Sequence, residues 1–185
     1  RVVVGLYKSL SHGALRTFID DFRARYPDIH LELLEVPFAE IIAGLHSGRV
    51  DAALVLGDPD KCEVFDCLAL WSELLMVALP IGHPLADKSI IYWPELKGER
   101  FLISHGDPGP DILNILLRYL AAPSDHPQID TLHLNRDNIL SEVGSGEGIS
   151  LQCESASGLT GLNVVFRPVH DGNGATRLGY IVCWK

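Results

Sequence analysis

The sequence predicts an α/β protein made of two lobes with a cleft between them. Over residues 2–56, three strands and two helices alternate with short connections, a pattern typical of a parallel sheet with crossover helices. A second alternation of strand and helix begins at residue 101. The last two apolar runs have no helix between them for another crossover, so one is expected to return to the first lobe. The predicted division is residues 1–72 plus 164–185 for the first lobe and 73–163 for the second.

The opening stretch contains a predicted strand, a polar loop and a helix. Val2–Tyr7 is an apolar run too short for an ordinary helix, and it predicts a buried strand. Hydroxyls and backbone N–H groups that meet at a positive helix end suit an anionic or strongly polar ligand, and Ser9 and Ser11 lie in such a loop. The alternative is that one serine only caps the helix. The helix is predicted from apolar residues at three- and four-residue steps: Leu15, Phe18, Ile19, Phe22 and Tyr26.

Two more strands and a helix complete the predicted first sheet. Ile29–Val36 and Val50–Leu56 have the patterns of strands. Between them, Pro37 precedes a helix and Gly48 occupies the position of a C-terminal cap. Ligands of parallel sheets usually bind beyond the carboxyl ends of the strands. Those ends are the loops at 8–12, 36–38 and 57–58.

The second lobe is predicted from a weaker set of patterns. Residues 68–80 are mostly apolar and predict one or two strands that leave the first lobe. A helix that starts at Pro110 is apolar around most of its circumference between Ile112 and Leu120. Its own lobe can cover one face, and the remainder is expected to contact a partner. The other predicted elements are strands at 101–104, 129–134, 164–169 and 178–184, and a helix at 136–145.

Three glycines near the end of that last helix raise the question of a nucleotide site. Gly144, Gly146 and Gly148 follow a predicted helix and precede a predicted strand. A dinucleotide-binding loop instead follows a strand and precedes a helix. The glycines therefore predict a helix cap and a tight turn, and we expect no cofactor.

The composition excludes several classes of protein. A net charge of −9 argues against a nucleic-acid footprint, because phosphate binding needs clustered Lys and Arg. No apolar stretch approaches the roughly 20 residues that span a bilayer, and the start lacks the features of a signal peptide. Four cysteines do not form a disulfide scaffold, which favours a reduced, cytoplasmic setting. The spacing of Cys62 and Cys67 leaves open a redox pair or a weak metal site beside ordinary thiols.

The sequence favours a binding protein over an enzyme. It contains no GxSxG, HExxH or Walker motif. His12, His83 and His105 lie in predicted loops, where a lone histidine is more often a hydrogen-bonding or surface residue than a general base. We therefore expect no catalytic residues and no resident metal, and a cleft that holds a ligand without transforming it.

Four motifs occur in order across almost the whole chain. Phe22–Asp28 ends the first predicted helix, and Leu45–Leu54 joins the second helix to the third strand. Leu79–Ala86 contains Leu-Pro and then Gly-His-Pro-Leu-Ala, and Val143–Ile149 reads Val-Gly-Ser-Gly-Glu-Gly-Ile. In these motifs the sequence resembles the C-terminal effector-binding domain of the LysR-type transcriptional regulators.

This resemblance implies a fold like that of the type II periplasmic binding proteins, with a small-molecule effector between the lobes. It also implies an N-terminal winged helix-turn-helix that is absent from this chain and through which the full-length protein would contact DNA. The start at Arg1, directly on a strand, fits a piece cut from a longer protein. A homodimer, and a homotetramer of the full-length protein, are expected, with no membrane partner.

The resemblance also implies site residues. Many relatives carry a small polar residue where this chain has Phe38, and Leu-Pro where Leu151 is here followed by Gln152. The effector-binding residues expected are Ser9, Leu10, Ser11, Phe38, Gly57, Ser104, His105, Gly106 and Gln152. The family dimer packs the first helix of one subunit against the second-lobe helix of the other. The residues expected there are Leu15, Phe18, Phe22, Leu116 and Leu120.

Three functions compete at this point. The first is a sensor domain that binds a polar or anionic metabolite and relays its binding to DNA through a rearranged oligomer. The second is a transport-type solute-binding protein of the same fold, and the third is an enzyme on this fold. A helix-turn-helix encoded upstream would support the regulator, and a secretory leader would support the transport protein.

Overall fold

A computed structural model of the chain describes residues 1–6, 14–61, 63–158, 161 and 163–185. The chain divides into two compact units, the first made of Arg1–Ser72 and Gly179–Lys185 and the second of Glu73–Leu178. Two strands, β4 (Asp66–Pro80) and β11 (Arg177–Trp184), each contribute residues to both units. The first unit is therefore discontinuous in sequence, and the second is continuous.

The first unit is built on a parallel sheet with β1 at its centre. In chain order it contains β1 (Val2–Leu6), α1 (Ala14–Arg25), β2 (Leu31–Glu35), α2 (Phe38–Ser47) and β3 (Ala52–Leu56). β1 pairs in parallel with β2 on one side and with β3 on the other. Residues 180–183 of β11 pair antiparallel with β3. The predicted alternation of strands and helices is confirmed for this unit.

Local interactions explain where these elements begin and end. α2 ends where Gly48 adopts a left-handed conformation with a φ of 74°, as the sequence predicted for a C-terminal cap. Asp51 fixes the start of β3, because its backbone N–H donates to the carbonyl of Val3 and its carboxylate accepts from the backbone N–H of Val3 at 2.8 Å. Both contacts hold β3 in register beside β1.

The buried face of α1 is narrower than the sequence predicted. Leu15 and Ile19 are buried, whereas Phe18 and Tyr26 are each 51 % exposed and Phe22 is half-buried. The Phe22 ring lies 6.5 Å from the Phe18 ring and 5.1 Å from the Tyr26 ring, measured between centroids. A helix on a sheet buries only the residues that point at the strands, and the remaining aromatic residues form a row on the outside.

The second unit combines an antiparallel sheet with a separate parallel pair. The elements after β4 are β5 (Ile91–Tyr92), β6 (Arg100–Ser104), α3 (Gly109–Leu120), β7 (Gln128–Leu132), α4 (Arg136–Gly144), β8 (Ser150–Cys153), β9 (Val164–Asp171) and β10 (Gly174–Ala175). β4 pairs antiparallel with β8 and with β9. β6 and β7 are parallel, and α3 joins them. The second predicted alternation is therefore present.

The return to the first unit differs from the predicted division. The prediction placed residues 164–185 in the first lobe, but β9 pairs with residues 76–80 of β4 and with β5, which belong to the second unit. The return occurs at Gly179, inside β11. The boundary depends on which strands pair with each other. Hydropathy patterns do not show pairing between strands that are distant in sequence.

Two glycines explain the turn between α4 and β8. Gly146 has a φ of 86°, a conformation that residues with a side chain rarely adopt. A Cβ atom on Gly148 would lie 2.7 Å from the carbonyl oxygen of Arg100, so only glycine allows this close approach to β6. The prediction of a helix cap and a tight turn is confirmed.

None of the helices in the described residues is both long enough and apolar enough to cross a bilayer.

Candidate functional site

The residues predicted to bind the effector fall into three groups. Ser9, Leu10 and Ser11, together with His12, lie outside the described residues. Phe38 and Gly57 belong to the first unit. The remaining residues, Ser104, His105, Gly106 and Gln152, belong to the second unit.

In the first unit, Phe38 is accessible to solvent. Gly57 lies in close contact with β11, where a larger residue would not fit. Phe38 begins α2 and is 41 % exposed. The backbone N–H of Gly57 donates to the carbonyl of Gly179 at 3.0 Å, and a Cβ atom at this position would lie 2.8 Å from Cδ1 of Ile181. Gly57 is therefore explained by its contact with β11, whereas part of the Phe38 side chain remains exposed.

The loop after β6 is held tightly by its own hydrogen bonds. The Ser104 hydroxyl donates to the carbonyl of Leu134 at 2.8 Å and accepts from the backbone N–H of Gly106 at 3.2 Å. A Cβ atom on Gly109 would lie only 1.7 Å from the carbonyl oxygen of Ser104. Since the hydroxyl already has two protein partners, Ser104 shapes this loop and joins it to the loop after β7.

Two histidines stack at this end of the parallel pair. His105 directly follows β6 and His133 directly follows β7, and their ring centroids lie 4.2 Å apart with an angle of 28° between the ring planes. Both side chains are exposed. From the sequence alone His105 is a lone loop residue, and no local pattern singles out His133. His133 lies inside the strand predicted at 129–134, so the pair is identified only from the parallel register of β6 and β7, which places Ser104 opposite Leu132.

Charged residues also occur in the first turns of α4 and α3. Arg136 is the first residue of α4, and its Nε lies 3.7 Å from a carboxylate oxygen of Asp137. Asp111 lies in the first turn of α3, where burial raises the pKa of its carboxyl and the nearby charge of Asp107 raises it further. The first turn of α4 therefore carries charges of both signs, and that of α3 carries a carboxylate.

Gln152 is half-buried on β8 and takes part in a short chain of hydrogen bonds. Its amide Nε2 donates to the hydroxyl of Ser150 at 3.0 Å, and that hydroxyl donates to the carbonyl of Leu102 at 2.7 Å. One donor of the predicted ligand residue is thus used within the protein. The amide still has a second donor and an acceptor oxygen with which to meet a ligand.

Comparison with known proteins identifies the family. A family model described as the LysR substrate binding domain matches residues 1–184. The chain belongs to this family. It is 26% identical over 185 residues to the Hca operon transcriptional activator HcaR of Escherichia coli K12, covering 100% of this chain and 62% of the relative. It is 28% identical over 183 residues to the regulator BenM of Acinetobacter baylyi, covering 94% of this chain and 57% of the relative.

Solved structures of LysR effector-binding domains share the fold. The BenM effector-binding domain with its effector benzoate has a TM-score of 0.80 and 26% identity, with coverage of 100% of this chain and 83% of that chain. The reduced OxyR regulatory domain of Pseudomonas aeruginosa has a TM-score of 0.80 at 19% identity, covering 100% and 88% of the two chains, and supports the fold alone. The predicted fold class is confirmed. The chain spans 62% and 57% of the curated regulators HcaR and BenM.

Three of the residues expected at a dimer interface are not accessible to a partner. Leu15, Leu116 and Leu120 are buried within their own units. On α3 the apolar residues that reach the surface are Leu117 and Tyr119, 36% and 37% exposed. The sequence pattern marks α3 as apolar but does not separate the side that packs inward from the side that remains exposed.

The other singled-out residues have structural roles. His83, in the Gly-His-Pro-Leu-Ala motif, accepts from the backbone N–H of Leu85 through Nδ1 at 3.2 Å, and its Nε2 lies 3.3 Å from a carboxylate oxygen of Glu99. This agrees with the predicted hydrogen-bonding role. Cys62 lies outside the described residues, and Cys67 is half-buried. Within the described ranges, no three potential metal-ligating residues come together.

Proposed function

We propose that this chain is the effector-sensing domain of a LysR-type transcriptional regulator that binds a small polar or anionic metabolite. The family match over residues 1–184 carries this proposal. The curated relatives HcaR and BenM are named as transcriptional regulators, which favours a regulator over the transport protein considered from the sequence. The corresponding domain of BenM was solved with benzoate as its effector. An aromatic or aliphatic carboxylate is therefore the first class of ligand to test.

Each unit has its own residues that are proposed to contact the effector. Ser9, Leu10 and Ser11 would supply a hydroxyl and backbone N–H groups, and Phe38 an apolar wall. In the second unit, His105 and the second donor of Gln152 are the polar groups proposed to contact the ligand, while Ser104 and Gly106 hold the loop in shape. A ligand regulates only if it binds one arrangement of the domain or oligomer more tightly than another.

The proposed dimer uses the exposed residues of α1 and α3. Phe18, Phe22 and Tyr26 form the aromatic row of α1, and Leu117 and Tyr119 are the exposed apolar residues of α3. Packing α1 of one copy against α3 of a second copy would bury both sets. DNA would be contacted through an N-terminal helix-turn-helix encoded upstream, in a cytoplasmic protein that is a tetramer at full length.

The proposal is tested in two steps. Sequencing upstream of the codon for Arg1 should reveal a helix-turn-helix, and a secretory leader there would contradict the proposal. Thermal unfolding of the chain is then measured against a set of carboxylates that includes benzoate. A ligand present at 100 times its Kd should stabilise the fold by about 2.7 kcal/mol. The full-length regulator should change its operator footprint with the same compound, and an unchanged footprint would contradict a regulatory role.

A further inference from the structure

The first half of β4, residues 66–72, forms an outer strand of the first unit that we call the β4 edge. β8 and β9 pair with residues 75–80 of β4, whereas the β4 edge belongs to the first unit and has β11 as its neighbour. The Trp71 ring stacks on the Tyr180 ring of β11, with centroids 5.1 Å apart. Among the described residues no second strand pairs with the β4 edge. One side of its backbone can therefore pair with a further strand.

The β4 edge lacks the features by which proteins usually protect an outer strand. Lysine, proline and clustered charges are the usual means of preventing such a strand from pairing with another chain. The β4 edge has neither lysine nor proline, and its one charged residue is Asp66 at its start. Asp66, Leu68, Ala69 and Ser72 are exposed, Leu68 to 56%. By contrast, β2 at the far end of the sheet carries two glutamates among its five residues.

We propose that the β4 edge pairs with the β4 edge of a second copy, in an antiparallel arrangement centred on Ala69. This surface is separate from the α1 and α3 residues of the proposed dimer. It adds a second contact, through which two such dimers would form the proposed tetramer. The inference concerns assembly and does not depend on where the effector binds.

The sequence of the β4 edge is compatible with pairing to itself. Centring on Ala69 places all seven residues opposite a residue of the second copy. The opposed pairs are Asp66 with Ser72, Cys67 with Trp71, and Leu68 with Leu70. Alternate residues of a strand lie on the same face, so Leu68 and Leu70 of both copies form one apolar cluster on the joined sheet. No residue of the β4 edge meets a like charge in this register.

Charge decides between antiparallel and parallel pairing. Three exposed carboxylates, Asp58, Asp60 and Glu63, precede the β4 edge, and Asp66 begins it. Parallel pairing would place the same carboxylates of both copies side by side. In the antiparallel register the two copies of Asp66 lie six residues apart along the strands, about 20 Å. That distance is more than twice the Debye length of about 8 Å at physiological ionic strength, so their repulsion is largely screened.

The size of the contact sets its strength. Seven residue pairs bury less surface than the roughly 1,000 Å² expected of a stable interface. Isolated copies of the domain are therefore expected to associate only weakly through the β4 edge. Two dimers that join through two such edges at once bind more tightly, because the second pairing is intramolecular.

Trapping with an engineered cysteine tests the register in the whole chain. Opposite Cα atoms of antiparallel strands lie about 4.5–5.5 Å apart, a distance that a disulfide can bridge. In a background of Cys62→Ala and Cys67→Ala, Ala69→Cys should therefore form a cross-linked dimer under mild oxidation. Ser72→Cys is the matched control, because Ser72 is also small and exposed but lies about 20 Å from its counterpart. We expect at least about tenfold more cross-linking with Ala69→Cys than with Ser72→Cys.

A charge in the β4 edge should remove the contact. Leu68→Lys, added to the Ala69→Cys chain, should lower cross-linking to the level of Ser72→Cys. Leu33→Lys, on β2 and at a residue that is 37% exposed, should leave it unchanged. In the full-length regulator Leu68→Lys should convert a tetramer into a dimer in sedimentation. Circular dichroism confirms that each variant is folded.

Three results would overturn the inference. The first is equal cross-linking of Ala69→Cys and Ser72→Cys, and the second is a tetramer that Leu68→Lys does not change. The third is a chain that stays uncross-linked under oxidation, which would mean that another partner, or none, occupies the β4 edge. These results would leave the proposed function intact, since it fails separately, by a secretory leader upstream or an unchanged operator footprint.

Discussion

Trp93 and Tyr119 lie face to face, with ring centroids 4.4 Å apart and ring planes inclined by only 2°. Trp93 begins a short 3₁₀ helix, and its Nε1 donates to the hydroxyl of Thr176 at 2.9 Å. The hydroxyl of Tyr119 donates to the carboxylate of Asp171 at 3.0 Å. Within the second unit, the stacked pair therefore joins α3 to Asp171 before the turn between β9 and β10 and to Thr176 after β10.

Replacing Asp171 should lower the free energy of unfolding by an amount that depends on pH. The backbone N–H of Asn173, and then the hydroxyl of Tyr119, hold the pKa of the Asp171 carboxyl below its usual value. A lowered pKa in the folded state stabilises the protein above the usual aspartate pKa, and this contribution is lost as the pH falls through the folded value. Denaturant unfolding should therefore show Asp171→Asn to be less stable than the wild type at pH 7.

The difference between Asp171→Asn and the wild type should disappear in acid, where both side chains are neutral. Tyr119→Phe is the control, because it keeps the ring stack and the carboxylate but removes the hydroxyl donor. It should lose only part of the pH dependence, since the backbone N–H of Asn173 still lowers the pKa. A stability difference for Asp171→Asn that is constant from pH 7 to pH 2 would contradict this interpretation.

Neighbouring leucines of α3 should respond very differently to truncation. Leu116 is fully buried and Leu117 is 36% exposed. Leu116→Ala leaves a cavity and should lower the free energy of unfolding by about 2–5 kcal/mol. Leu117→Ala should lower it by less, because more of the Leu117 side chain is already exposed. Urea unfolding of the two variants measures the difference, and similar losses would show that the burial of α3 has been misassigned.

A charge on the exposed side of either helix should prevent dimerisation. In Leu117→Glu or Phe18→Glu the carboxylate would have to be buried in the proposed interface without a partner, which is costly. Sedimentation should show a monomer for each variant, with the far-UV circular dichroism of the wild type. Leu68→Glu, at a residue of β4 that is 56% exposed, is the control and should remain dimeric. A wild-type chain that is monomeric at high concentration would rule out the proposed contact for this domain.

The loop after β6 should require glycine at position 109 but not at position 106. A Cβ atom on Gly109 would collide with the carbonyl of Ser104, whereas at Gly106 the nearest atom would be 3.8 Å away. Gly109→Ala should lower the free energy of unfolding by about 1–3 kcal/mol, because the backbone must shift. It should also move the ring resonances of His105 and His133. Gly106→Ala should leave both measurements close to those of the wild type, and equal effects would contradict the close approach at Gly109.

Mutations of two serines that were predicted to bind the effector should have different effects, one on affinity and the other on stability. Ser9→Ala should weaken binding of an identified effector, measured by calorimetry, with little change in stability. Ser104→Ala should lower the free energy of unfolding by about 1 kcal/mol, because the carbonyl of Leu134 and the N–H of Gly106 lose a partner. An unchanged affinity for Ser9→Ala would argue against placing the ligand at that loop.

The sequence was sufficient to predict the features that depend on residues close together in the chain. The alternation of strands and helices in the first unit, the cap at Gly48 and the turn at Gly146 follow from periodicity and backbone preference. Features that depend on distant residues were missed. The pairing of β9 with β4 moved the unit boundary from residue 164 to 179, and the proximity of His133 to His105 appears only once β6 and β7 are paired.

The discontinuity of the first unit has a consequence for synthesis on the ribosome. All residues of the second unit, 73–178, leave the ribosome before residues 179–185, which the first unit still needs. Until then β3 lacks the antiparallel neighbour provided by Tyr180–Cys183 and presents an unpaired edge. The unit whose residues are made first is therefore the last to be completed, and its open strand must be protected for as long as the second unit takes to be translated.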